Sequence, residues 1–288
     1  MPGGENRSQR EIIDVHIHLT PPEVIAREED YKKEEPYFDL LSSNPGNKFV
    51  TSEDLIDHLD KAGISQAIVF GFAFQKQENC RLVNDYIIEA IKKYPERLIG
   101  FAVVNPLKPG AAAEICRCHQ EGLQGVGELF PEGQGFDLTK REEMQELTAT
   151  CQELSLPIMI HLNEPIGHDY PGKTGDSLES GIKLAENFPA NTFIYSHWGG
   201  GLIFYELMPE IASTLQNVYY DTAASPFLYD KKIYQAVKAA GLIDKVLLGS
   251  DYPLLSPDRY LAEIKDTDLS QAERDKVLFS NAKELFNL

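Results

Sequence analysis

Short apolar runs alternate with amphipathic stretches along most of the chain. Eight runs are rich in β-branched and aromatic residues and have the length of strands. They are Ile12–Leu19, Ile64–Phe72, Leu98–Asn105, Gln124–Phe130, Pro157–Leu162, Thr192–His197, Val218–Thr222 and Lys245–Asp251. Most of them are apolar on both faces, which is typical of parallel strands covered on both sides.

Each apolar run is followed by a stretch with apolar residues at helical spacing. At the start of one stretch, Thr51 with Asp54 three residues later resembles a capping box. Another stretch, Glu78–Tyr94, stops at Pro95. The predicted helices are Thr51–Ala62, Glu78–Tyr94, Ala111–Gln120, Glu142–Leu154, Leu178–Phe188, Ile203–Leu215, Lys231–Ala240 and Gln271–Phe286. Eight alternating βα units predict an α/β fold, a (β/α)8 TIM-type barrel. The alternative, an open doubly wound sheet, usually carries Gly-x-Gly-x-x-Gly after its first strand, and that motif is absent.

The alternation predicts one barrel domain over residues 11–288, preceded by a polar tail over residues 1–10. The tail lacks the apolar stretch of a secretory signal. Thr20–Val50 separates the first strand from its helix and is rich in charge and aromatics. Because long insertions in compact domains are often functional, we predict that residues 20–50 form a lid loop over the site.

The composition is acidic, with 27 Lys and Arg against 45 Asp and Glu and a formal charge of −18. Such a chain is expected to repel nucleic-acid phosphates and anionic membranes. The four cysteines form no Cys-x-x-Cys motif and indicate free thiols in a reducing compartment. We therefore expect a cytoplasmic protein with a small-molecule substrate, and the sequence leaves homo-oligomerisation open.

Polar residues at the ends of the predicted strands suggest a metal site, because strand ends converge at the catalytic face of a barrel. The pleat of the first strand points His16 and His18 to the same side. Three further strand ends supply His161, His197 and Asp251. Four nitrogens and one carboxylate suit a divalent ion, with Zn²⁺ favoured over Mn²⁺ or Mg²⁺.

Glu128 ends the fourth strand, where an unpaired carboxylate would be costly. It could bridge a second metal ion, or accept hydrogen bonds from backbone or loop residues. One ion is expected and a second is left open.

Several of these segments together resemble the amidohydrolase superfamily, in particular its amidohydrolase-related branch. They are Asp14-Val15-His16-Ile17-His18, His161, Ser196-His197-Trp198-Gly199-Gly200, Gly249-Ser250-Asp251-Tyr252-Pro253 and Asn281-Ala282-Lys283-Glu284-Leu285-Phe286. The resemblance implies a distorted barrel with the four histidines and Asp251 around the metal. That branch contains metal-dependent hydrolases and non-oxidative decarboxylases of aromatic or muconate-type acids. Unlike many binuclear members, this chain has Glu128 rather than lysine at the fourth strand end.

We expect a metal-dependent hydrolase that directs a metal-activated water at an ester, lactone, amide or similar bond. Asp251 would take the proton from the water and deliver it to the leaving group, and His197 would polarise the scissile bond. Glu128 favours hydrolysis because a bridging carboxylate favours a bridging hydroxide. The alternative is a metal-dependent decarboxylase, which would use the same ligands. A barrel that only binds a metabolite is a third and weaker hypothesis.

Aromatic and polar loop residues predict a small, partly apolar substrate. The candidate substrate-binding residues are Arg27, Tyr31, Phe72, Asn163, Trp198 and Tyr252. Arg27 could pair with a substrate carboxylate, although a solvated surface role is the simpler interpretation.

Overall fold

The computed structural model describes residues 11–43, 48–173 and 178–288. The predicted tail over residues 1–10, and residues 44–47 of the predicted lid loop, lie outside the described residues. Each of the eight predicted apolar runs contains a strand. The strands are β1 (Ile13–His18), β2 (Gln66–Phe70), β3 (Leu98–Ala102), β4 (Gly125–Leu129), β5 (Ile158–Ile160), β6 (Phe193–Tyr195), β7 (Val218–Asp221) and β8 (Val246–Leu247).

The helices lie between the strands and after β8. They are α1 (Pro22–Ala26), α2 (Glu28–Glu34), α3 (Pro36–Ser42), α4 (Ser52–Ala62), α5 (Gln77–Lys93), α6 (Ala111–Gln120), α7 (Pro131–Gln134), α8 (Arg141–Glu153), α9 (Leu178–Asn187), α10 (Pro209–Thr214), α11 (Ser225–Leu228), α12 (Lys232–Ala239), α13 (Pro257–Lys265), α14 (Gln271–Asp275) and α15 (Asn281–Phe286). The segment His197–Leu207 begins with left-handed backbone at residues 197–201 and continues in 3₁₀ turns. A 3₁₀ turn covers Ile243–Lys245, and a π-helical turn covers Lys276–Ser280.

The eight strands form one parallel sheet in the order β1 to β8, and backbone contacts join its two ends. Val15 N–H donates to the Leu248 carbonyl at 2.7 Å, and Ile17 bridges to Tyr252. The predicted (β/α)8 barrel is therefore confirmed. Closure brings the C-terminal ends of all eight strands to one face, where β1 lies beside the segment that follows β8.

The barrel core follows from the alternation along its strands. Ile13, Val15, Phe101, Met159 and Ile194 all lie in one buried apolar cluster. The other faces of the strands pack against the surrounding helices, since apolar residues of α4, α5, α6 and α8 lie in the other two buried clusters. Burial on both sides explains why most of the runs are apolar at every position.

The segment 20–50 contains three short helices that the helical pattern did not predict. Pro22 and Pro36 occupy the first turns of α1 and α3, where a missing N–H costs nothing. The buried Phe38 of α3 packs against Phe72 and Phe74, which follow β2. The segment is therefore packed onto the loops at the catalytic face, while its role as a lid stays a prediction.

Two predicted helices are broken rather than continuous. The start of Ile203–Leu215 lies in the 3₁₀ segment, and Gln271–Phe286 is interrupted by the π-helical turn. Helix α13 was not predicted, although Pro257 at its start is a helix-initiating signal. Among the described residues, no helix has both the length and the apolar character that a bilayer crossing requires.

Candidate metal centre

Strand β1 and the segment after β8 supply the first group of candidate ligands. His16 and His18 are two residues apart in β1 and therefore point to the same side of the strand, with their Nε2 atoms 3.3 Å apart. Asp251 Oδ1 lies 3.3 Å from His18 Nε2 and 3.6 Å from His16 Nε2. Phe70 packs edge-on against both imidazoles and covers them from the β2 side. These three side chains could hold one metal ion.

Strands β4, β5 and β6 supply a second group directly beside the first. His161 Nδ1 lies 3.0 Å from Glu128 Oε1 and 3.1 Å from His197 Nε2. Glu128 Oε2 is 3.5 Å from His16 Nε2, so the two groups are continuous. All six predicted ligand residues therefore meet at the catalytic face of the barrel.

The hydrogen bonds around the imidazoles determine which nitrogen faces the centre. His16 Nδ1–H donates to Asp221 Oδ2 at 2.8 Å, and His197 Nδ1–H donates to the Ala223 carbonyl at 3.0 Å. The remaining nitrogen of each ring then points its lone pair inwards. Partners of this kind orient histidine ligands in metal sites.

His161 is held with the opposite ring nitrogen inwards. Its Nε2–H donates to Asn163 Oδ1 at 3.1 Å, so Nδ1 carries the lone pair that faces His197 Nε2. Two lone pairs at 3.1 Å repel each other unless a positive charge lies between or beside them. The donor set therefore fits a divalent cation bound by imidazoles and carboxylates.

Electrostatics lead to the same conclusion. Burial lowers the pKa of His16, but Glu128, Asp221 and Asp251 outweigh burial and raise that pKa to about 9. Burial opposes the same trend at His197, where Glu128 raises the pKa to about 10. Burial alone would raise the pKa of Asp251, yet His18 and His16 hold it well below its usual range. The carboxylates therefore create a site that attracts positive charge.

Two glycines explain parts of the motifs in physical terms. A Cβ on Gly200 would lie 2.1 Å from the Asn163 carbonyl oxygen, and a Cβ on Gly249 would lie 2.8 Å from His16 Cβ. His197 and Asp251 themselves have positive φ angles of 56° and 60°. Strained conformations of this kind are common at functional sites.

Of the predicted substrate-binding residues, Asn163 and Tyr252 lie next to the candidate ligands. Asn163 is buried and bonded to His161, so it positions a ligand. Tyr252 stacks on His58 at 4.1 Å. Trp198 is fully buried, donates its indole N–H to Ser225 Oγ and packs against Tyr234, as a core residue does.

The remaining three belong to the segment 20–50 and the loop after β2. Tyr31 is buried against Phe38 and Phe74, and Phe72 packs against the same two rings. The Arg27 side chain is 56% exposed and pairs with Glu23 and Asp30, so its charge is already satisfied at the surface.

Sequence reasoning missed two residues beside the centre. Asp221 ends β7 and accepts a hydrogen bond from His16 Nδ1–H, and its position at a strand end was the available signal. Glu164 lies in the loop after β5, and nothing in its local sequence distinguishes it from a surface glutamate.

Comparisons with known proteins agree with this geometry. The family model described as amidohydrolase matches residues 13–288. The γ-resorcylate decarboxylase of a Polaromonas species is 26% identical over 256 residues, which are 73% of this chain and 77% of the relative. A Rhizobium γ-resorcylate decarboxylase is 23% identical over the same length, with 73% and 76% of the two chains covered.

Solved structures share the fold. The 5-carboxyvanillate decarboxylase of Novosphingobium aromaticivorans, determined with manganese and 4-hydroxy-3-methoxy-5-nitrobenzoic acid, has a TM-score of 0.78 at 20% identity and covers 99% of this chain and 98% of its own. The dihydroxybenzoic acid decarboxylase of Polaromonas, determined with manganese and 2-nitroresorcinol, has a TM-score of 0.73 at 20% identity and covers 97% of each chain. Metal-bearing relatives and the ligand cluster together support a divalent metal site.

The expectation of a hydrolase is wrong. The relatives are named decarboxylases, so the comparisons support an enzyme and favour the alternative expectation over the hydrolase. The physical reason is that both reactions use the same ligand residues. Glu128 was interpreted as a metal bridge that favours hydroxide, but a carboxylate among the candidate ligands does not by itself distinguish the two reactions.

Proposed function

We propose that this chain, which belongs to the amidohydrolase family, is a metal-dependent non-oxidative decarboxylase of a small hydroxylated aromatic acid. The observation that carries the proposal is the similarity to γ-resorcylate decarboxylases over most of the chain, combined with the cluster of six ligand residues. A relative at 26% identity supports the reaction class better than the particular acid.

The proposed metal is one Mn²⁺ ion, which His16, His18 and Asp251 would bind. The neighbouring group of Glu128, His161 and His197 would supply further ligand atoms. The nitrogen-rich set predicted Zn²⁺, but carboxylates also crowd this centre, and oxygen ligands suit Mn²⁺. Manganese in two similar decarboxylase structures supports this choice. When bound, the metal supplies a Lewis acid that attracts the anionic oxygens of the substrate.

Asp251 and His197 are the proposed catalytic residues. Loss of CO₂ breaks the bond between the carboxyl carbon and the ring and leaves an electron pair on the ring carbon. A proton must replace the carboxyl group at that carbon, and in this proposal the Asp251 carboxylate takes that proton from water and passes it to the ring carbon. The Nε2 atom of His197 lies 3.1 Å from His161 Nδ1 and 3.6 Å from Glu128 Oε1, within the second group of candidate ligands. His197 orients the substrate from there.

Aromatic side chains form the apolar surroundings of the proposed substrate. Phe130 packs edge-on against His161, and Tyr37 of α3 packs against Phe130. The Tyr37 hydroxyl donates to Glu132 at 2.6 Å, which fixes the segment 20–50 to the loop after β4. An apolar surface beside a metal suits an aromatic acid.

The experiment is a CO₂-release assay on the Mn²⁺-loaded protein with a panel of mono- and dihydroxybenzoates, including 2,6-dihydroxybenzoate. We expect at least one acid to be decarboxylated. Asp251→Asn should keep the fold and lower kcat by about 100-fold or more, because general acid catalysis is typically worth this much.

Asp258→Asn is the matched control, since Asp258 is exposed on α13 and should leave kcat unchanged. Absence of CO₂ release from every acid in the panel would contradict the proposed function. Undiminished turnover in Asp251→Asn would remove Asp251 from the mechanism.

A further inference from the structure

Glu164 is a buried acid that the proposed mechanism does not use. It lies three residues after His161, in the loop that follows β5, and is only 9% exposed. Its Oε1 atom is buried and has no hydrogen-bond partner. An unsatisfied buried carboxylate oxygen is costly, so its persistence calls for a donor that binds there.

Hydrogen bonds connect Glu164 to the metal centre. The Tyr170 hydroxyl lies 3.3 Å from Glu164 Oε2 and 3.0 Å from Asn163 Oδ1. Asn163 Oδ1 in turn accepts a hydrogen bond from His161 Nε2–H. Glu164 is therefore two side chains away from a candidate metal ligand, at the same end of the barrel.

The neighbours of Glu164 leave its Oε1 atom without a donor. The Tyr170 hydroxyl has a single proton, for which Asn163 and Glu164 compete. The Tyr229 hydroxyl also lies beside Glu164: burial raises its pKa, and the charge of Glu164 and a hydrogen bond to that carboxylate raise it further, yet Oε1 itself has no partner at hydrogen-bond distance. In the part of the chain that the structure describes, no lysine or arginine forms an ion pair with Glu164.

A ring hydroxyl would supply the missing proton. Carboxylate oxygens only accept hydrogen bonds, so the complementary ligand group is a donor. Three nearby carboxylates, those of Glu128, Asp251 and Glu164, exclude a second acidic group from this side of the site. A neutral phenolic hydroxyl satisfies Oε1 without adding negative charge.

We propose that Glu164 Oε1 accepts a hydrogen bond from a hydroxyl on the substrate ring, and that Glu164 thereby selects hydroxylated aromatic acids. The inference rests on the proposed function for the aromatic acid itself. It adds a specificity-determining residue and the chemical group that this residue recognises.

The test is ligand binding to the full-length Mn²⁺-loaded protein by calorimetry. Each of 2-, 3- and 4-hydroxybenzoate is compared with the fluorobenzoate substituted at the same position, because fluorine is similar in size to a hydroxyl but donates no proton. At one ring position the wild type should prefer the hydroxyl by about 10- to 100-fold, the usual value of a hydrogen bond to a charged group. Glu164→Gln keeps the shape, removes the charge and should reduce this preference about tenfold.

Glu206→Gln is the matched control. Glu206 is also a buried glutamate bonded to a tyrosine, but Tyr220 and Lys245 satisfy both of its oxygens. This variant should keep the wild-type preference for the hydroxyl. The comparison of hydroxyl with fluorine in the wild type needs no variant and stands even if Glu164→Gln does not fold.

Equal binding of hydroxyl and fluorine at all three positions would overturn the inference, as would an unchanged preference in folded Glu164→Gln. The assay of CO₂ release separates this from the proposed function. A hydroxyl preference that depends on Glu164, without CO₂ release from any acid, supports the inference and overturns only the decarboxylase proposal. CO₂ release without a hydroxyl preference that depends on Glu164 supports the decarboxylase proposal and overturns the inference about Glu164.

Discussion

His16 and His197 are surrounded by carboxylates that outweigh the effect of burial on their pKa values. Those values are raised to about 9 and about 10, so both rings carry protons at neutral pH when no metal is bound. Metal binding requires the neutral imidazoles. We therefore predict that Mn²⁺ binding at pH 7.5 releases about two protons and that Mn²⁺ affinity falls as the pH is lowered.

Calorimetry in buffers of different ionisation enthalpy measures the released protons. The pH dependence of stability provides a second readout. A histidine with a raised pKa stabilises the fold below its unfolded value of about 6.5 and loses that contribution as pH rises through the folded pKa. The metal-free protein should therefore lose thermal stability between pH 7 and pH 10. Zero proton release, or proton uptake, would contradict the prediction that both rings are protonated in the metal-free protein.

Local pattern was sufficient to predict which residues converge in the candidate ligand cluster, but not the groups that orient them. His16, His18, His161, His197, Glu128 and Asp251 all lie at strand ends, where barrel closure guarantees convergence. The partners of these rings depend on contacts between distant segments, such as that of Asp221 with His16 across 205 residues of sequence. For Trp198 the local pattern was misleading. Its place next to the candidate ligand His197 suggested substrate contact, whereas its side chain is fully buried in the core.

At the scale of elements, Glu35 fastens the segment 20–50 to helix α5. Its carboxylate accepts the backbone N–H groups of Gln75 and Lys76 at 2.7 and 3.0 Å, and the Asn79 amide at 2.8 Å. These bonds tie Glu35 to the two residues before α5 and to a side chain of its first turn, where Lys76 provides no side-chain cap. A negative charge at a helix N-terminus is also favourable.

We predict that Glu35→Gln lowers the free energy of unfolding by about 1–2 kcal/mol, because it weakens hydrogen bonds to a buried charged group. Urea denaturation gives the value, and limited proteolysis should show faster cleavage within residues 20–50. Glu34→Gln is the matched control, because the Glu34 side chain is 56% exposed and its pair with Lys76 is a surface ion pair of little energetic value. Equal effects of the two substitutions would contradict the role of Glu35 in fastening the segment 20–50 to the start of α5.

The same segment marks the limit of prediction at this scale. Strands and long helices follow from periodicity, whereas α1 to α3 are five to seven residues long and too short for a periodic signal. Their helical form depends on proline starts and on the packing of Tyr31 and Phe38 against Phe74. Such contacts join residues more than thirty positions apart and cannot be predicted from the local pattern.

For the whole molecule, the charge of −18 acts in opposite directions on the two proposed ligands. The field of an acidic protein concentrates divalent cations and repels anionic aromatic acids. Added salt screens that field, since the Debye length falls from about 30 Å at 0.01 M to about 10 Å at 0.1 M.

We predict that kcat/KM for an anionic benzoate rises several-fold from 10 to 150 mM NaCl, mainly through KM, while Mn²⁺ affinity falls over the same range. A neutral phenol such as resorcinol is the control, and its dissociation constant should stay nearly constant. If kcat/KM for the acid fell with salt instead, a local positive potential at the entrance to the site would have to outweigh the charge of the rest of the molecule.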